Sequence, residues 1–310
     1  MAVDKFSSFL DSFLVRSQTR QAHLQDADTL ETRMVNTPAG PVRVYDSGPI
    51  DQRPCVIFVP DGPNIIEHYE PLIALLAARL RVVCFDMPGF GYSPPDAAYT
   101  HSLNHGAQAV LGVMDALDIS HATLAFSCAN GFYAMRAAQM QPHRITHLIL
   151  SQTPTLHDMH AWVERIVPWP LKIPVFGQLV AWLIRKKVAL RWYRTVLPRT
   201  TDATPYQEKT RYAMSCGSCF CLAGVVQGLV RSDPASLLGI TTPCTVVWGG
   251  LDRSHKPTQA DSLLACLPHA EVVKFNDCGH FPDIEQPARY ANLLLIKLLS
   301  QTRSERGLAS

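Results

Sequence analysis

The sequence predicts an α/β protein with a mostly parallel central sheet, helices on both faces and a helical insertion late in the chain. Three observations carry this. Short continuous apolar runs such as Cys55-Val56-Ile57-Phe58-Val59 are what strands covered on both faces look like. They alternate with stretches of helical spacing, which calls for parallel pairing through right-handed crossovers. Between Pro154 and Pro243 the strand rhythm stops, and Trp162, Trp169, Trp182 and Trp192 appear among Pro, Leu and helical spacings.

In chain order, Phe6, Phe9, Leu10, Phe13 and Leu14 recur every three or four residues, so an amphipathic helical arm is expected within 1–25. Val42-Arg43-Val44-Tyr45 alternates as a strand does and ends in a turn at Ser47-Gly48-Pro49. The run 55–59 follows, then a helix over 69–80, a strand over 82–85, a helix over 102–117 and a strand over 122–127. A helix over 131–141, strands over 145–150 and 244–248, and a last strand over 271–275 complete the series. This divides the chain into the arm (1–25), a core (26–153 and 243–310) and a helical lid (154–242), with helical spacings at 175–191 and 206–230.

The 310 residues can bury a large core, and 47% hydrophobic against 17% charged residues fits a globular protein. A net charge of +2, from 28 basic and 26 acidic residues, is too balanced to draw nucleic acid to the surface. The basic cluster Arg185-Lys186-Lys187 with Arg191 and Arg194 reads as a solvated helix face. No leader pattern and no membrane-length apolar run is seen, so a cytoplasmic protein without a membrane span is expected. The nine cysteines are odd in number and scattered, which suits reduced thiols. Cys216-x-x-Cys219-x-Cys221 lacks a fourth ligand at suitable spacing and reads as core, so neither a metal nor a cofactor is expected. A homodimer through the arm or the lid is compatible with the pattern.

Four motifs fall in a telling order. They are Pro60-Asp61-Gly62-Pro63-Asn64, the turn Asp86-x-Pro-Gly-x-Gly-x-Ser93, the strand-to-helix junction at 126–131, and Gly249-Gly250-Leu251-Asp252 with Gly279-His280-Phe281-Pro282. On these motifs the chain resembles the α/β-hydrolase superfamily, in the lid-bearing branch of epoxide hydrolases, haloalkane dehalogenases and proline iminopeptidases. The resemblance implies a nucleophile, acid and histidine at Cys128, Asp252 and His280. Ser127 could compete for the nucleophile's place, but spacing to the flanking motifs puts it on Cys128 and Ser127 just before it. Glycines that the superfamily carries around its nucleophile are here Phe126 and Asn130, and its His-Gly pair is here Pro60-Asp61.

A thiol at that turn implies an acyl-cysteine intermediate, with His280 as base and then acid and Asp252 fixing the ring tautomer. The N–H groups of Ala129 and Gly62 would form the oxyanion hole. Asp61, Ser127, Asn130, Trp162 and Phe281 are the expected substrate contacts. The reading is an enzyme acting on a small-molecule or carrier-bound acyl group, an ester, lactone or thioester, by hydrolysis or by acyl transfer or cyclisation. The contrasting reading is a non-catalytic protein of the same fold that binds a small ligand or a partner.

Overall fold

The computed structural model describes residues 2–19, 30–48 and 53–308. Residues 20–25 of the expected arm and Pro49 of the expected turn lie outside them. In chain order the elements are α1 (Ala2–Thr19), β1 (Thr32–Thr37), β2 (Gly40–Asp46), β3 (Cys55–Val59), α2 (Glu70–Leu76), β4 (Arg81–Phe85), β5 (Phe90–Gly91), α3 (Leu103–Ala116), β6 (Ala122–Ser127), α4 (Ala129–Met140) and β7 (Ile145–Ser151). The lid follows with α5 (Leu156–Ile166), α6 (Phe176–Val196), α7 (Thr204–Ser215), β8 (Cys219–Phe220) and α8 (Leu222–Val230). The chain returns through β9 (Cys244–Gly249), β10 (Glu271–Phe275), α9 (Pro282–Glu285) and α10 (Pro287–Leu308).

Eight strands form one sheet in the order β1-β2-β4-β3-β6-β7-β9-β10. Strands β4 to β10 in that order pair parallel, and β1 and β2 are antiparallel additions at one edge. The apolar runs work as two-faced strands. In β3, Ile57 and Val59 join the core built with α3 and α4, while Val56 and Phe58 join the one built with α2 and α10. Burying one such side chain is worth roughly 1.5–3 kcal/mol, so doubly covered strands anchor the fold.

Three expectations need correction. Strand β1 was not foreseen, because Val35 is its one buried residue and an edge strand facing water leaves little apolar signal. The helical stretch expected over 206–230 is broken: Gly217 adopts φ +88°, and β8 pairs with β5 between α7 and α8. Helix α1 is amphipathic in the opposite sense to the phenylalanine pattern. Ser7, Ser8, Asp11 and Ser12 are buried against the lid, and Phe6, Phe9 and Phe13 stand exposed. The polar face docks because it finds partners there, Ser7 Oγ accepting from the Val175 N–H at 3.1 Å and Asp11 from Gln178 at 3.3 Å.

None of the nine cysteines is in a disulfide. Among the described residues no helix is long and apolar enough to cross a membrane. The Asp86–Ser93 motif is a buried turn. Gly91 lies so near Asp86 that a Cβ would sit 2.2 Å from its carboxylate, the Tyr92 N–H donates to that carboxylate at 3.1 Å, and Ser93 Oγ accepts from the Arg43 N–H at 2.8 Å.

Candidate active site

Strand β6 is buried along its whole length and delivers the chain to the carboxyl edge of the sheet, where α4 starts at once. The residue between them, Cys128, takes φ 52°, ψ −123°. A non-glycine residue in that region costs on the order of 1–3 kcal/mol and persists only where its surroundings enforce it. Here the Cys128 N–H donates to Ser151 O at 2.8 Å and Thr153 Oγ1 donates to Cys128 O at 3.1 Å. The close approach falls on Gly131, where a Cβ would lie 2.2 Å from Thr153 Oγ1. Phe126 fits because its ring lies in the sheet core, edge-on to Phe85. Asn130 Nδ2 donates to Pro60 O at 3.2 Å and ties the junction to the 60–64 loop.

The order of residues along the turn separates the two candidate nucleophiles. Ser127 points to the opposite side, where its hydroxyl donates to Asp283 at 3.0 Å in a buried cluster with Tyr69. Cys128 is the residue that opens onto the cavity.

His280 lies on the loop between β10 and α9, fully buried. Glu285 holds that loop by accepting from the Gly279 and Phe281 N–H groups at 2.9 Å each. His280 Nδ1 meets Asp252 Oδ2 at 2.5 Å, and Nε2 meets Asp61 Oδ2 at 3.2 Å. Ligand-bearing atoms of Asp61, Cys128 and His280 lie within 4.8 Å of one another. The structure thus brings Cys128, His280, Asp252 and Asp61 together, with Gly62 and Ala129 on the cavity wall beside them.

Asp252 is saturated with donors: Gln152 Nε2 at 2.7 Å on one oxygen, the Ser254 N–H and hydroxyl at 2.8 Å each on the other. Burial opposes its charge, but the facing His280, His255 and Gln152 prevail and hold the carboxyl well below the usual range. Burial likewise pulls His280 down, and Asp252 foremost, with the Asp61 hydrogen bond, overrules it, so its pKa stands well above the ordinary histidine value. Its Nδ1 faces the Asp252 carboxylate and its Nε2 faces the Asp61 carboxyl, so a protonated ring can donate at both nitrogens. The Cys128 thiol is pushed up, first by burial and then by the Asp61 carboxylate, against the opposing pull of His280 and the Ala129 N–H. The Asp61 carboxyl is itself raised by burial. The Cys128 sulfur is therefore a neutral thiol at rest.

Above these groups lies a cavity of about 500 Å³ roofed by the lid and lined by apolar side chains including Met159, Trp162, Leu171, Trp192, Phe220 and Leu229. Arg165 and Arg191 are on its wall. Of the expected substrate contacts, Asp61, Asn130 and Trp162 line it. Ser127 and Phe281 do not: Ser127 turns to Asp283, and Phe281 packs in the second core, edge-on to the His280 ring at 5.0 Å.

Gln152 escaped the sequence reading, whereas His255 could be singled out there by its nearness to Asp252, though its stacking could not. Gln152 bridges Asp252 and the Gly249 N–H, its Oε1 accepting at 2.7 Å. Its one sequence signal is an amide directly after a buried strand at the functional edge of the sheet. His255 lies between Trp162 and His280, its ring 5.4 Å and 5.5 Å from theirs at interplanar angles of 14° and 17°. Burial pushes His255 down to about 3, so it stays neutral beside the charged ring.

Residues 56–293 match the alpha/beta hydrolase family. The chain belongs to that family. It is 25% identical over 243 residues to a 2-hydroxy-6-oxononadienedioate/2-hydroxy-6-oxononatrienedioate hydrolase of Dechloromonas aromatica, covering 75% of this chain and 80% of that one. It is 32% identical to the zearalenone hydrolase of Bionectria ochroleuca over 126 residues, 39% of this chain and 47% of that one. Among solved structures, epoxide hydrolase A of Mycobacterium thermoresistibile superposes with a TM-score of 0.72 at 14% identity, over 86% of this chain and 97% of that chain. A haloalkane dehalogenase variant of Bradyrhizobium elkanii superposes with a TM-score of 0.69 at 15% identity, over 90% of this chain and 99% of that chain. Both likenesses are of fold.

Proposed function

We propose that this member of the alpha/beta hydrolase family hydrolyses a small, largely apolar ester or lactone through a thioester on Cys128. The observation that carries the reading is a thiol at a strained strand-to-helix turn, within 4.8 Å of an imidazole whose far nitrogen is locked to a carboxylate. The apolar cavity suits the substrate's body, and the relatives' names, hydrolases of carbon-chain diacids and of zearalenone, favour hydrolysis over transfer.

The proton inventory sets the order of steps. At rest Asp61 holds the His280 Nε2 proton, and an imidazolium cannot accept another. When an acyl oxygen enters between the Gly62 and Ala129 N–H groups, it crowds the Asp61 carboxylate and weakens its charged state. The Nε2 proton then passes to Asp61, leaving a neutral carboxylic acid and a neutral imidazole. The imidazole takes the thiol proton as sulfur bonds to the acyl carbon, and returns it to the departing alkoxide as the carbon–oxygen bond breaks. Water, deprotonated by His280, cleaves the thioester and regenerates the thiol.

The test is intact-mass analysis after exposure to activated acyl esters. Wild type gains one acyl group and Cys128→Ala gains none; an adduct retained by the variant, or ester turnover undiminished in it, overturns the reading. A second result follows from the electrostatics. Asp61→Asn removes the anion that, after burial, raises the thiol, and it releases His280 Nε2, so iodoacetamide labelling of Cys128 at pH 7 should accelerate several-fold. Its pH profile should move to the acid side; an unchanged profile would show that Asp61 does not restrain the thiol.

A further inference from the structure

Behind Phe90 and Phe220, which line the active-site cavity, a second set of buried polar groups converges from three elements that are distant in sequence. Asp11 comes from α1, His101 from the loop before α3, and Cys221 from the junction of β8 and α8. One ligand-bearing atom of each lies within 4.8 Å of the other two, and all three residues are buried. The fold makes room for them with glycines. A Cβ at Gly224 would lie 2.8 Å from both Asp11 Oδ2 and His101 Nε2, and one at Gly89 would lie 2.7 Å from the His101 ring and 3.2 Å from Cys221 Sγ. His101 itself takes φ 54°, and its carbonyl accepts from Tyr133 Oη at 3.0 Å.

The second observation is at His101 Nε2, which is buried and has no hydrogen-bond partner. An orphaned ring nitrogen costs on the order of 1–3 kcal/mol unless something takes up its lone pair or its proton. Water alone would leave a desolvated carboxyl, thiol and imidazole facing one another.

We infer that Asp11, His101 and Cys221 form a zinc-binding site that clamps the N-terminal helix to the lid. Zinc bonds to sulfur, imidazole nitrogen and carboxylate oxygen at about 2.0–2.3 Å, so tetrahedral ligands lie roughly 3.3–3.8 Å apart, within the span seen here. The surroundings orient the ligands as outer partners of a metal do. Gln178 Nε2 donates to Asp11 Oδ2 at 3.3 Å and to Gln227 Oε1 at 3.0 Å, and Gln227 in turn donates to Leu171 O and Ile173 O. A cavity of about 20 Å³ bounded by Asp11, Gln178, Arg185 and Cys221, with His101 outside its lining, adjoins the three groups and has room for one water. Binding expels the thiol proton and any proton on Asp11, and charge balances as one thiolate and one carboxylate against Zn²⁺.

The experiment uses the full chain carrying Cys128→Ala, so that the active-site thiol takes no part and failure of the proposed function leaves this test intact. Metal-free protein is titrated with Zn²⁺, and with Co²⁺ as a spectroscopic probe. One equivalent of zinc per chain, a near-ultraviolet thiolate-to-cobalt band and a rise in Tm of at least about 3 °C are expected. Adding Cys221→Ser should abolish the band, and adding His101→Ala should weaken binding at least ~100-fold. Substoichiometric zinc with no change in Tm, or a band that survives Cys221→Ser, overturns the inference. If either added variant fails to fold, chelation of the zinc-loaded parent protein decides: a Tm unmoved by chelator also overturns it.

Discussion

Asp252→Asn should lower turnover of an activated ester on the order of 10³–10⁴-fold, the loss that this exchange causes where a serine nucleophile is used. The reason lies in the donors around the carboxylate. Gln152 cannot rotate to accept, because its Oε1 already takes the Gly249 N–H, so an amide nitrogen on that side would face a donor and also oppose His280 Nδ1–H. The amide nitrogen is forced toward Ser254, whose N–H is likewise a donor there and whose hydroxyl alone can turn. Either way the anion that holds His280 above its ordinary pKa is gone. The variant should therefore show a lower apparent pKa for the histidine limb of its kcat/KM profile as well as the loss of rate. Ser254→Ala, which removes one of several donors and keeps the charge, should cost far less. Activity of Asp252→Asn within threefold of wild type would remove Asp252 from the chemistry.

How much of this was legible in the sequence depended on the reach of each interaction. Strands β3, β6 and β10 were read at their observed bounds, and β4, β7 and β9 within a residue, because a short apolar run between helices has few other ways to bury itself. Strand β1 was illegible for the converse reason: three of its six residues are exposed and two half-buried, and its pairing with β2 rests on backbone hydrogen bonds. The periodicity of Phe6, Phe9 and Phe13 gave the helix but not the face that docks, since docking is decided by Val175 and Gln178 more than 160 residues on. At the site, the order Cys128, Asp252, His280 could be read because each sits in a local turn motif. The aim of Asp61 at His280 Nε2 spans 219 positions and has no local signature. The stack of Trp162, His255 and His280 draws one ring from the lid and two from the core loops, so no window of sequence contains it.

The largest effect on stability is expected at Gly249→Ala. A Cβ there would lie 1.7 Å from Gly279 O and 2.8–2.9 Å from Gly279 C and Cys278 O, all backbone atoms that cannot rotate aside. The end of β9 and the loop that carries His280 must then separate by more than an ångström. That movement pulls apart the groups the contact positions: Gly249 N–H donates to Gln152, the Leu251 N–H donates to Cys278 O at 2.8 Å, and Asp252 and His280 lie directly beyond each partner. Overpacking against side chains costs about 1–3 kcal/mol, and a backbone collision should exceed that range, giving a drop in Tm of several degrees or more in this chain. Gly250→Ala is the control, since its nearest contact would be Asn276 Cα at 3.1 Å and a few tenths of an ångström relieve it. Thermal unfolding followed by circular dichroism, with Cys128 labelling as a second readout, should show Gly249→Ala losing both stability and thiol reactivity while Gly250→Ala keeps most of each. Equal behaviour of the two variants would mean that the β9 terminus and the histidine loop are not held as closely as this contact requires.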